Sequence, residues 1–407
     1  MHNKFVRAAH ATHRCLVSLI LLAVGATASA EEIAGFIAAD LRAFPNEPAF
    51  PAQDRQPLAP SLILQPEYRQ SWGERDRLTI IPFARLDHRD DERTHLDLRE
   101  FNWQHLGPDW DLRVGLGKVF WGVTESRHLV DIVNQTDRVE DIDEKDKLGQ
   151  PMVNLNLIRH WGNVNLFILP GFRERTFPGP EGRLGFGLPV DTHHAIYESG
   201  LGERHVDVAA RFSRALGDWD IGIADFWGTS REPRLIPALD SGGAPVLVPH
   251  YDIIHQTSID VQATKGSWQW KLEAMSRSGQ GDRFTASTTG FEYTLARLFD
   301  TNAELGLLAE YLHDGRDANA PFTPFNDDVY AGFRIGLNDT QNSELLLGAT
   351  TDRHTHATSI NLEAGSRLGD GWYWGVNARA FVHIPTSDIL YSVAQDDFIQ
   401  FRIKKFF

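Results

Sequence analysis

The sequence of 407 residues contains a single cysteine, Cys15. Cys15 lies in a leader, residues 1–30, that has the features of a secretory signal peptide: a basic start, an apolar stretch and the small-residue site Ala28-Ser29-Ala30. The remaining residues, 31–407, contain no cysteine, which excludes a disulfide, a thiolate metal site and a cysteine nucleophile. We therefore expect a cleaved leader, 1–30, followed by one domain, 31–407.

Long apolar runs and an excess of basic residues are also absent. After the leader no stretch of 18 apolar residues occurs, so the sequence predicts no membrane-spanning helix. The mean hydropathy of −0.31 is common in soluble proteins, but a barrel whose strands alternate lipid-facing and lumen-facing residues gives the same average. The 40 Lys and Arg residues are outnumbered by 55 Asp and Glu residues, and this negative balance disfavours a nucleic-acid partner.

Short segments with alternating apolar and polar residues recur along the whole chain. In one of them Trp268, Trp270 and Leu272 alternate with Gln269 and Lys271, which predicts a strand with one apolar and one polar face. Each segment is near the ~9–11 residues that a tilted strand needs to cross a bilayer. We predict about eighteen strands, although sixteen would also fit the pattern. The predicted strands are 33–43, 60–70, 77–87, 94–105, 110–121, 151–160, 163–171, 202–214, 218–228, 251–264, 267–277, 284–297, 301–312, 329–338, 343–353, 357–367, 372–383 and 397–407.

The connections between these segments differ in length according to their position. The links after even-numbered strands are tight and contain Gly, Asn, Asp or Pro; they are 72–76, 107–109, 161–163, 217–218, 265–267, 298–300, 339–342 and 368–371. Several links after odd-numbered strands are long, namely 44–59, 122–150, 172–201, 229–250, 313–328 and 384–396. Short turns at one end and long loops at the other are typical of a membrane barrel, whereas a soluble sandwich has no reason to sort its loops in this way.

A closed sheet would leave no unpaired edge in lipid, so we expect strand 33–43 to pair with strand 397–407. Aromatic residues cluster near the strand ends, as the girdles of a membrane barrel require; they are Trp103, Trp110, Trp121, Trp161, Trp219, Trp227, Trp268, Trp372 and Phe407. Three places break the alternation: Arg99-Glu100, Gly117-Lys118 and Asp225. We interpret the first two as β-bulges and place Asp225 near a membrane interface.

The last strand supports the same fold through a resemblance. Ile399, Phe401, Ile403 and the terminal Phe407 fall on one face of an extended strand, and this pattern resembles the C-terminal signature of Gram-negative outer-membrane β-barrel proteins. Lys405 departs from it, because the family prefers an apolar residue at that position. The resemblance implies an all-β fold: a transmembrane, antiparallel, up-and-down β-barrel in outer-membrane lipid, with periplasmic turns and extracellular loops. It also implies that the barrel-assembly machinery recognises Phe401, Ile403 and Phe407.

The same resemblance implies a candidate function. Diffusion porins commonly fold one long loop into the barrel, where acidic residues face basic residues of the wall and select solutes by charge. Here loop 122–150 or loop 172–201 would form this constriction, and the alternative is a solvated loop without a role in selectivity. Period-2 phasing and loop charge give the pore-lining candidates Arg85, Asp97, Arg99, Arg113, Arg211, Lys271, Glu273, Glu304, Glu310, Arg334, Glu363, Arg367, Arg379, Glu140, Asp141 and Asp143.

The resulting hypothesis is a passive porin for small hydrophilic solutes, without cofactor or metal, as a monomer or a trimer. One alternative is a dedicated transporter or polysaccharide exporter whose loops plug the pore. Another is an outer-membrane hydrolase, for which His205, Asp207 and Ser213 are the weak candidates. The pattern Asp141-x-Asp143-x-x-Asp146 has oxygen ligands at calcium-like spacing, but it lacks the glycine and the closing glutamate of an EF-hand loop, so we predict no metal site.

Overall fold

The computed structural model describes residues 29–407. The predicted leader therefore lies outside the described residues, apart from Ser29 and Ala30, which begin the first strand. Eighteen strands form one antiparallel sheet that closes on itself, and each strand pairs with its neighbours along the barrel. They are β1 (Ser29–Ala43), β2 (Leu58–Trp72), β3 (Asp76–Asp87), β4 (His95–Leu106), β5 (Trp110–Gly117), β6 (Gln150–Arg159), β7 (Gly162–Pro170), β9 (Val206–Leu216), β10 (Trp219–Thr229), β13 (Ile253–Lys265), β14 (Trp268–Ser278), β15 (Phe284–Leu295), β16 (Glu304–Asp314), β17 (Asp327–Gly336), β18 (Glu344–Asp352), β19 (Thr358–Arg367), β20 (Trp372–Val382) and β21 (Phe398–Phe406).

Outside the barrel wall, a small sheet joins two of the loops. Its strands are β8 (Ile196–Tyr197), β11 (Arg234–Leu239) and β12 (Pro245–Tyr251), and the sequence analysis did not predict them. Short 3₁₀ helices occur at Thr192–His194, Gly202–Arg204, Leu298–Asp300 and Ile389–Val393. Among the described residues, no helix has the length and the apolar character needed to cross a membrane.

The prediction of eighteen barrel strands is confirmed, and so is the closure between the first and the last. β1 pairs with β21 from Phe36 opposite Phe406 to Ala43 opposite Ile399. At the chain end, the backbone N–H of Phe407 donates to the carbonyl oxygen of Gly35 at 3.1 Å. Gly35 has a φ of +145°, and a Cβ there would lie 2.4 Å from the backbone oxygen of Gln65 on β2, so this position of β1 requires glycine.

The connections sort by length as the sequence predicted. One end of the barrel, here called the short-turn end, carries the connections 73–75, 107–109, 160–161, 217–218, 266–267, 296–303, 337–343 and 368–371. The other, the long-loop end, carries the connections 44–57, 88–94, 118–149, 171–205, 230–252, 279–283, 315–326, 353–357 and 383–397. Gly217 and Gly266 both have a φ of +62°, which is the left-handed conformation that a two-residue hairpin turn needs. Both termini of the described chain lie at the short-turn end, because β1 begins and β21 ends there.

The outer face of the barrel is apolar. Leu96 is 84% exposed and Ile33 is 67% exposed on this face, which is the expected outcome for side chains that face lipid rather than a protein core. Other exposed apolar side chains of the outer face are Ile37, Leu41, Leu62, Leu86, Phe101, Ile168, Val208, Ile223, Trp270, Leu307, Val329, Ile399 and Phe401. The interior carries the alternate residues of each strand, and many of these are charged.

The breaks in the alternation have separate explanations. Ile81 lies opposite Glu100 and Pro82 opposite Leu98, so Arg99 is the extra residue of a β-bulge, as predicted. The second bulge, at Gly117-Lys118, was wrong, because β5 ends at Gly117 and the chain then leaves the wall.

The structure also places Trp121, Asp225 and Lys405, whose positions were predicted or unexplained. Trp121 was assigned to a girdle, but it is buried inside the barrel against Phe167, with ring centroids 5.7 Å apart. Asp225 is exposed on the outer face near the end of β10, where the ring Nε2 of His255 lies 2.9 Å from its carboxylate. Lys405, the departure from the terminal signature, lies at the short-turn end. Its Nζ donates to the carbonyl oxygen of Asp370 at 3.3 Å and lies 5.2 Å from the centre of the Trp372 ring, so its charge leaves the apolar band.

Candidate functional site

The connection 118–149, called loop 3 here, lies inside the barrel. Its residues 129–140 are almost completely buried, and Val130, Val133 and Asp137 have no exposed surface. Val130 and Val133 belong to a core cluster with wall residues such as Phe167 and Phe226. A loop in this position must satisfy its backbone polar groups with partners from the wall, since an unpaired buried N–H group is costly.

Glu273 on β14 supplies one such partner. Its Oε1 accepts hydrogen bonds from the backbone N–H groups of Val123 at 2.7 Å and Thr124 at 3.0 Å, and from the Thr124 hydroxyl at 2.7 Å. Its Oε2 accepts from the N–H of Val130 at 3.2 Å. The side chain of Glu273 is completely buried, so this carboxylate is a fixed anchor for the first part of loop 3.

Glu310 on β16 repeats the arrangement one step further along the loop. Its two carboxylate oxygens accept from the N–H groups of Glu125 at 2.7 Å and Ser126 at 2.8 Å, and Oε2 also accepts from the Ser126 hydroxyl. Hydrogen bonds to an ionised carboxylate are stronger than those between neutral groups. Two wall carboxylates therefore fix loop 3 to the side of the barrel formed by β14 and β16.

A buried arginine fixes loop 3 to the opposite side. Arg85 on β3 is 1% exposed and donates through Nε and Nη2 to the two carboxylate oxygens of Glu140, at 2.8 and 2.5 Å. Its Nη1 donates to Asp40 at 3.1 Å and to Ser61 at 2.8 Å. Burial alone would raise the pKa of Glu140, but the charges of Arg85 and Arg93 outweigh it and hold that pKa at about 2.

Next to this pair, Arg99 donates to Asp137 at 2.5 Å. The ring of His95 lies beside both acids, and its Nε2 is 3.7 Å from Glu140 and 4.0 Å from Asp137. Three such groups within 4.8 Å of one another could hold a metal ion. Here the two carboxylates are already neutralised by Arg85 and Arg99, so the cluster is an ion-pair network that holds the loop.

The second half of loop 3 turns at its tip, residues 143–146. Glu144 has a φ of +60°, and Glu144, Lys145 and Asp146 are exposed although they lie within the ring of strands. Nη1 of Arg175 in the connection 171–205 donates to Glu144 at 3.0 Å. This tip is the part of loop 3 that meets water in the lumen.

Three ion pairs join loop 3 to the wall formed by β17–β20. Lys145 Nζ donates to Glu363 at 2.7 Å, Arg379 Nη2 donates to Asp143 at 2.7 Å, and Arg334 Nη2 donates to Glu125 at 2.5 Å. The Lys145 and Glu363 side chains are 42% and 33% exposed, in contrast to the buried pairs on the other side of the barrel. Burial and the neighbouring Asp141 together raise the pKa of Asp143 to about 7.

A chamber extends from the tip towards the long-loop end and has a volume of about 300 Å³. Loop 3, the interior faces of β17–β20 and segments of five other connections of the long-loop end line it. Aromatic rings from those connections, among them Phe177, Phe186 and Phe325, face charged groups such as Arg138 and Asp328. A chamber with apolar rings and a few charged groups can bind small polar molecules as well as admit them.

The predicted pore-lining residues all lie on the interior of the wall or in loop 3, but they fall into three groups. Those buried at the contact between loop 3 and the wall are Arg85, Asp97, Arg99, Glu140, Glu273 and Glu310. Those at or beside the tip are Asp141, Asp143, Arg334, Glu363 and Arg379. Those nearer the short-turn end are Arg113, Arg211, Lys271, Glu304 and Arg367, of which Arg211 pairs with Asp260 and Lys271 with Glu292. The candidate residues omitted Glu125, Glu144, Lys145 and Asp146, although the charge density of this loop was the signal that could have identified them.

The hydrolase candidates do not assemble into a triad. His205 Nδ1 lies 2.8 Å from Asp207, but Arg231 also donates to Asp207, at 2.5 Å. Ser213 is six residues further along β9, a separation of about 20 Å in an extended strand. The proposed Ser-His-Asp arrangement was therefore wrong. The calcium-like pattern is also divided, because Asp141 pairs with Arg42 and Asp143 with Arg379.

Sequence comparisons give no relative: no family model and no curated protein matches the chain. Solved structures do match. OpdQ of Pseudomonas aeruginosa aligns over 94% of this chain and 99% of its own, with a TM-score of 0.52 and 9% identity. The fold is that of the porin-like outer-membrane β-barrels. A BenF-like porin from Pseudomonas fluorescens aligns over 93% of this porin-like chain and 98% of its own, with a TM-score of 0.53 and 7% identity.

A third structure comes from a protein with a different described role. Wzi of Escherichia coli, described as a carbohydrate-binding β-barrel involved in capsule assembly, aligns over 90% of this chain and 83% of its own. Its TM-score is 0.51 and its identity is 8%. At these identities the likeness concerns the porin-like fold, and the function has to be argued from the lumen.

Proposed function

We propose that this chain is an outer-membrane porin-like channel through which small hydrophilic solutes diffuse. The observation that carries the proposal is the exposed, charged tip of loop 3 within a closed barrel whose outer face is apolar. An eighteen-stranded barrel is wide enough to leave an aqueous lumen unless loops fill it. Here one open space is the chamber between loop 3 and the wall formed by β17–β20.

In the proposed mechanism, solutes cross the tip region by displacing side chains rather than backbone. Lys145 with Glu363 and Asp143 with Arg379 bridge the gap; the side chains of the first pair are exposed, and those of the second are partly buried. Opposite charges facing each other across a narrow passage create a transverse field, which orients dipolar solutes and excludes apolar ones. Buried Glu273, Glu310 and Arg85 would keep the backbone of loop 3 in place while solutes pass.

The proposal includes an orientation and two partners. The long loops would be extracellular and both termini periplasmic, the leader 1–30 would direct export, and outer-membrane lipid would cover the apolar outer face. The barrel-assembly machinery would recognise Phe401, Ile403 and Phe407 on β21. Deletion of Phe407 should then lower the yield of folded barrel in the outer membrane, whereas Lys405→Gln should leave it unchanged. Equal yields of heat-modifiable barrel from the two variants would contradict this role.

A second candidate is a barrel dedicated to one substrate, with loop 3 as a plug. It is favoured by the bonds that join loop 3 to β3 and β4, to β14 and β16, and to β17–β20. The aromatic lining of the chamber and the fold shared with the carbohydrate-binding Wzi barrel are consistent with a sugar-like substrate.

Single-channel recording in planar bilayers separates the two candidates. A passive channel should give steady conductance in KCl without added substrate. A plugged barrel should be silent until the tip, residues 143–146, is replaced by a short glycine-serine turn. Lys265→Ala, at an exposed turn outside the lumen, is the matched control for insertion and folding. If neither the natural protein nor the tip variant conducts, both candidates are rejected.

A further inference from the structure

One arginine of loop 3 differs from the other cations around the chamber. Arg138 is 9% exposed, and within residues 29–407 no carboxylate oxygen lies within ion-pair distance of its guanidinium. Its Nη1 donates to the carbonyl oxygen of Leu184 at 3.1 Å, and its guanidinium carbon lies 4.4 Å from the centre of the Phe186 ring. Because a buried charge without a counter-charge is costly, this position requires an explanation.

The other cationic side chains that line the chamber all have acidic partners. These pairs are Arg127 with Asp314, Lys145 with Glu363, Lys147 with Asp131, Arg175 with Glu144, Arg231 with Asp207, Arg277 with Glu232 and Arg379 with Asp143. Glu144 and Asp141 act on Arg138 from beyond ion-pair distance, but Glu144 is bonded to Arg175 at 3.0 Å and Asp141 lies 3.6 Å from Arg42. Arg138 therefore contributes positive charge that nothing in the described chamber neutralises.

The environment disfavours the bare cation. Burial lowers the pKa of Arg138 to about 10, and the positive charge of Arg175 lowers it further, with only partial compensation from Glu144 and Asp141. The side chain nevertheless stays charged at neutral pH. An anion in the chamber would supply the counter-charge that Arg138 lacks. Because Arg138 is already buried, its guanidinium would lose little further hydration on binding that anion.

The free edge of the guanidinium defines the shape of that anion. Nη1 is occupied by Leu184, whereas Nε and Nη2 donate no hydrogen bond within the described part of the chain. The Nε–Nη2 edge carries two parallel N–H donors, which match the two oxygens of a carboxylate. The Phe186 ring lies against the face of the guanidinium, and Phe177 packs on Phe186 with ring centroids 6.0 Å apart. Both rings line the chamber and offer an apolar surface to the body of a ligand.

We propose that Arg138, with Phe177 and Phe186, forms a binding subsite for solutes that carry a carboxylate on a ring-shaped body, such as a sugar acid. The subsite deepens the proposed function, because it names the class of solute that the chamber would retain before passage across the tip. It would make the chamber selective for such anions although the chain as a whole is acidic, since selection at short range depends on the cation that contacts the solute rather than on the overall field.

Isothermal titration calorimetry of the folded barrel in detergent micelles tests this subsite, with glucuronate and glucose as probes. The natural protein should bind glucuronate more tightly than glucose. Arg138→Gln should weaken glucuronate binding about tenfold, as expected for the loss of a bidentate charge-assisted contact, and should leave glucose binding unchanged. Arg138→Lys should give an intermediate affinity, because it keeps the charge but loses the two-donor edge.

The matched control is Arg127→Gln, which removes an arginine of the same chamber that is already paired with Asp314. This variant should change the glucuronate affinity less than twofold, that is, by less than about RT ln 2 in binding free energy. Equal affinities of the natural protein for glucuronate and glucose, or an unchanged glucuronate affinity in a folded Arg138→Gln barrel, would overturn the subsite. Calorimetry does not require transport, so the outcomes are separable. Glucuronate binding without conductance rejects only the channel, and conductance without glucuronate binding rejects only the subsite.

Discussion

Loop 3 is joined to the barrel by ion pairs on two sides, and the two sides differ in their contact with water. Arg85 and Glu140, on the side of β3, are 1% and 6% exposed. Lys145 and Glu363, on the side of β19, are 42% and 33% exposed. The chemistry is the same in both, a cation bonded to a carboxylate at a distance below 3 Å, so burial is the property that separates them.

Burial determines how much each ion pair contributes to the stability of the folded protein. Removing one partner of a buried pair leaves a charge without water or counter-charge and costs about 3–5 kcal/mol. An exposed pair contributes about 0–1 kcal/mol, because water and salt screen it. We infer that the β3 side determines whether loop 3 stays folded in the lumen, and that the β19 side determines which solutes meet favourable charge there.

The largest expected effect comes from the buried side. Arg85→Met should lower the free energy of unfolding by about 3–5 kcal/mol, because Asp40 and Glu140 lose their shared cation. Equilibrium unfolding by denaturant in detergent micelles measures this change. Lys145→Met, a substitution of similar size on the exposed side, is the control. Similar losses in the two variants would remove the distinction between the two sides.

The next effect concerns the wall carboxylate that anchors the backbone of loop 3. Glu273→Ala leaves three buried N–H groups without their acceptor, and each such group costs about 1–3 kcal/mol unless water reaches it. We expect faster hydrogen exchange at residues 123–130, measured by mass spectrometry, with little change in the strands. Glu304→Ala, near the short-turn end, should leave that segment protected. Unchanged exchange in the Glu273 variant would show that the anchor is dispensable.

The pH dependence should come from the tip. The pKa of Asp143 is raised from 3.8 to about 7. Between about pH 4 and 7 the folded protein therefore keeps a proton on Asp143 that the unfolded chain has already released. Stability of the docked tip should therefore rise as pH falls through 7. The lumen should also lose one negative charge and become more anion-selective. Reversal potentials in a KCl gradient at pH 8 and pH 5.5 measure the selectivity. Asp143→Asn should reduce the difference, and an equal shift in that variant would assign it to another group.

The smallest effect on stability should accompany a change in selectivity. Lys145→Met should alter the unfolding free energy by less than about 1 kcal/mol. It leaves Glu363 without its lysine, so the channel should become more cation-selective. The reversal potential in a KCl gradient measures this shift, with Lys265→Met as the control outside the lumen. A stability loss as large as that of Arg85→Met, or no change in reversal potential, would contradict the assignment of the exposed pairs to selectivity.

The strands could be predicted because their signals are local: the period of 2, the turn residues and the alternation of loop lengths. The errors have local causes too. Val119 and Trp121 continue the apolar alternation of β5 although they belong to the core around loop 3, so the strand was extended too far. β11 and β12 were missed because Pro237, Pro245 and Pro249 interrupt them, and proline argues against a strand in sequence.

The arrangement of the candidate site was much less predictable. A glutamate on an inward strand face looks the same in sequence whether it faces water or anchors a loop, so Glu273 and Glu304 could not be told apart. The partners of loop 3 are also distant in sequence: Thr124 is 149 residues from Glu273, and Lys145 is 218 residues from Glu363. Whether Arg138 has an ion-pair partner depends on the positions of all the residues around it, so this could be learned only from the folded chain.

The span of these contacts has a consequence for the order in which the protein forms. Loop 3 is made early in the chain, but its anchors on β14 and β16 and its partners on β19 and β20 are made much later. Contacts between such distant residues form slowly, because a long segment must be ordered first. We therefore expect the contacts of loop 3 with β14, β16, β19 and β20 to form only when the ring of strands is largely complete, so the lumen reaches its final width in the last stage of assembly.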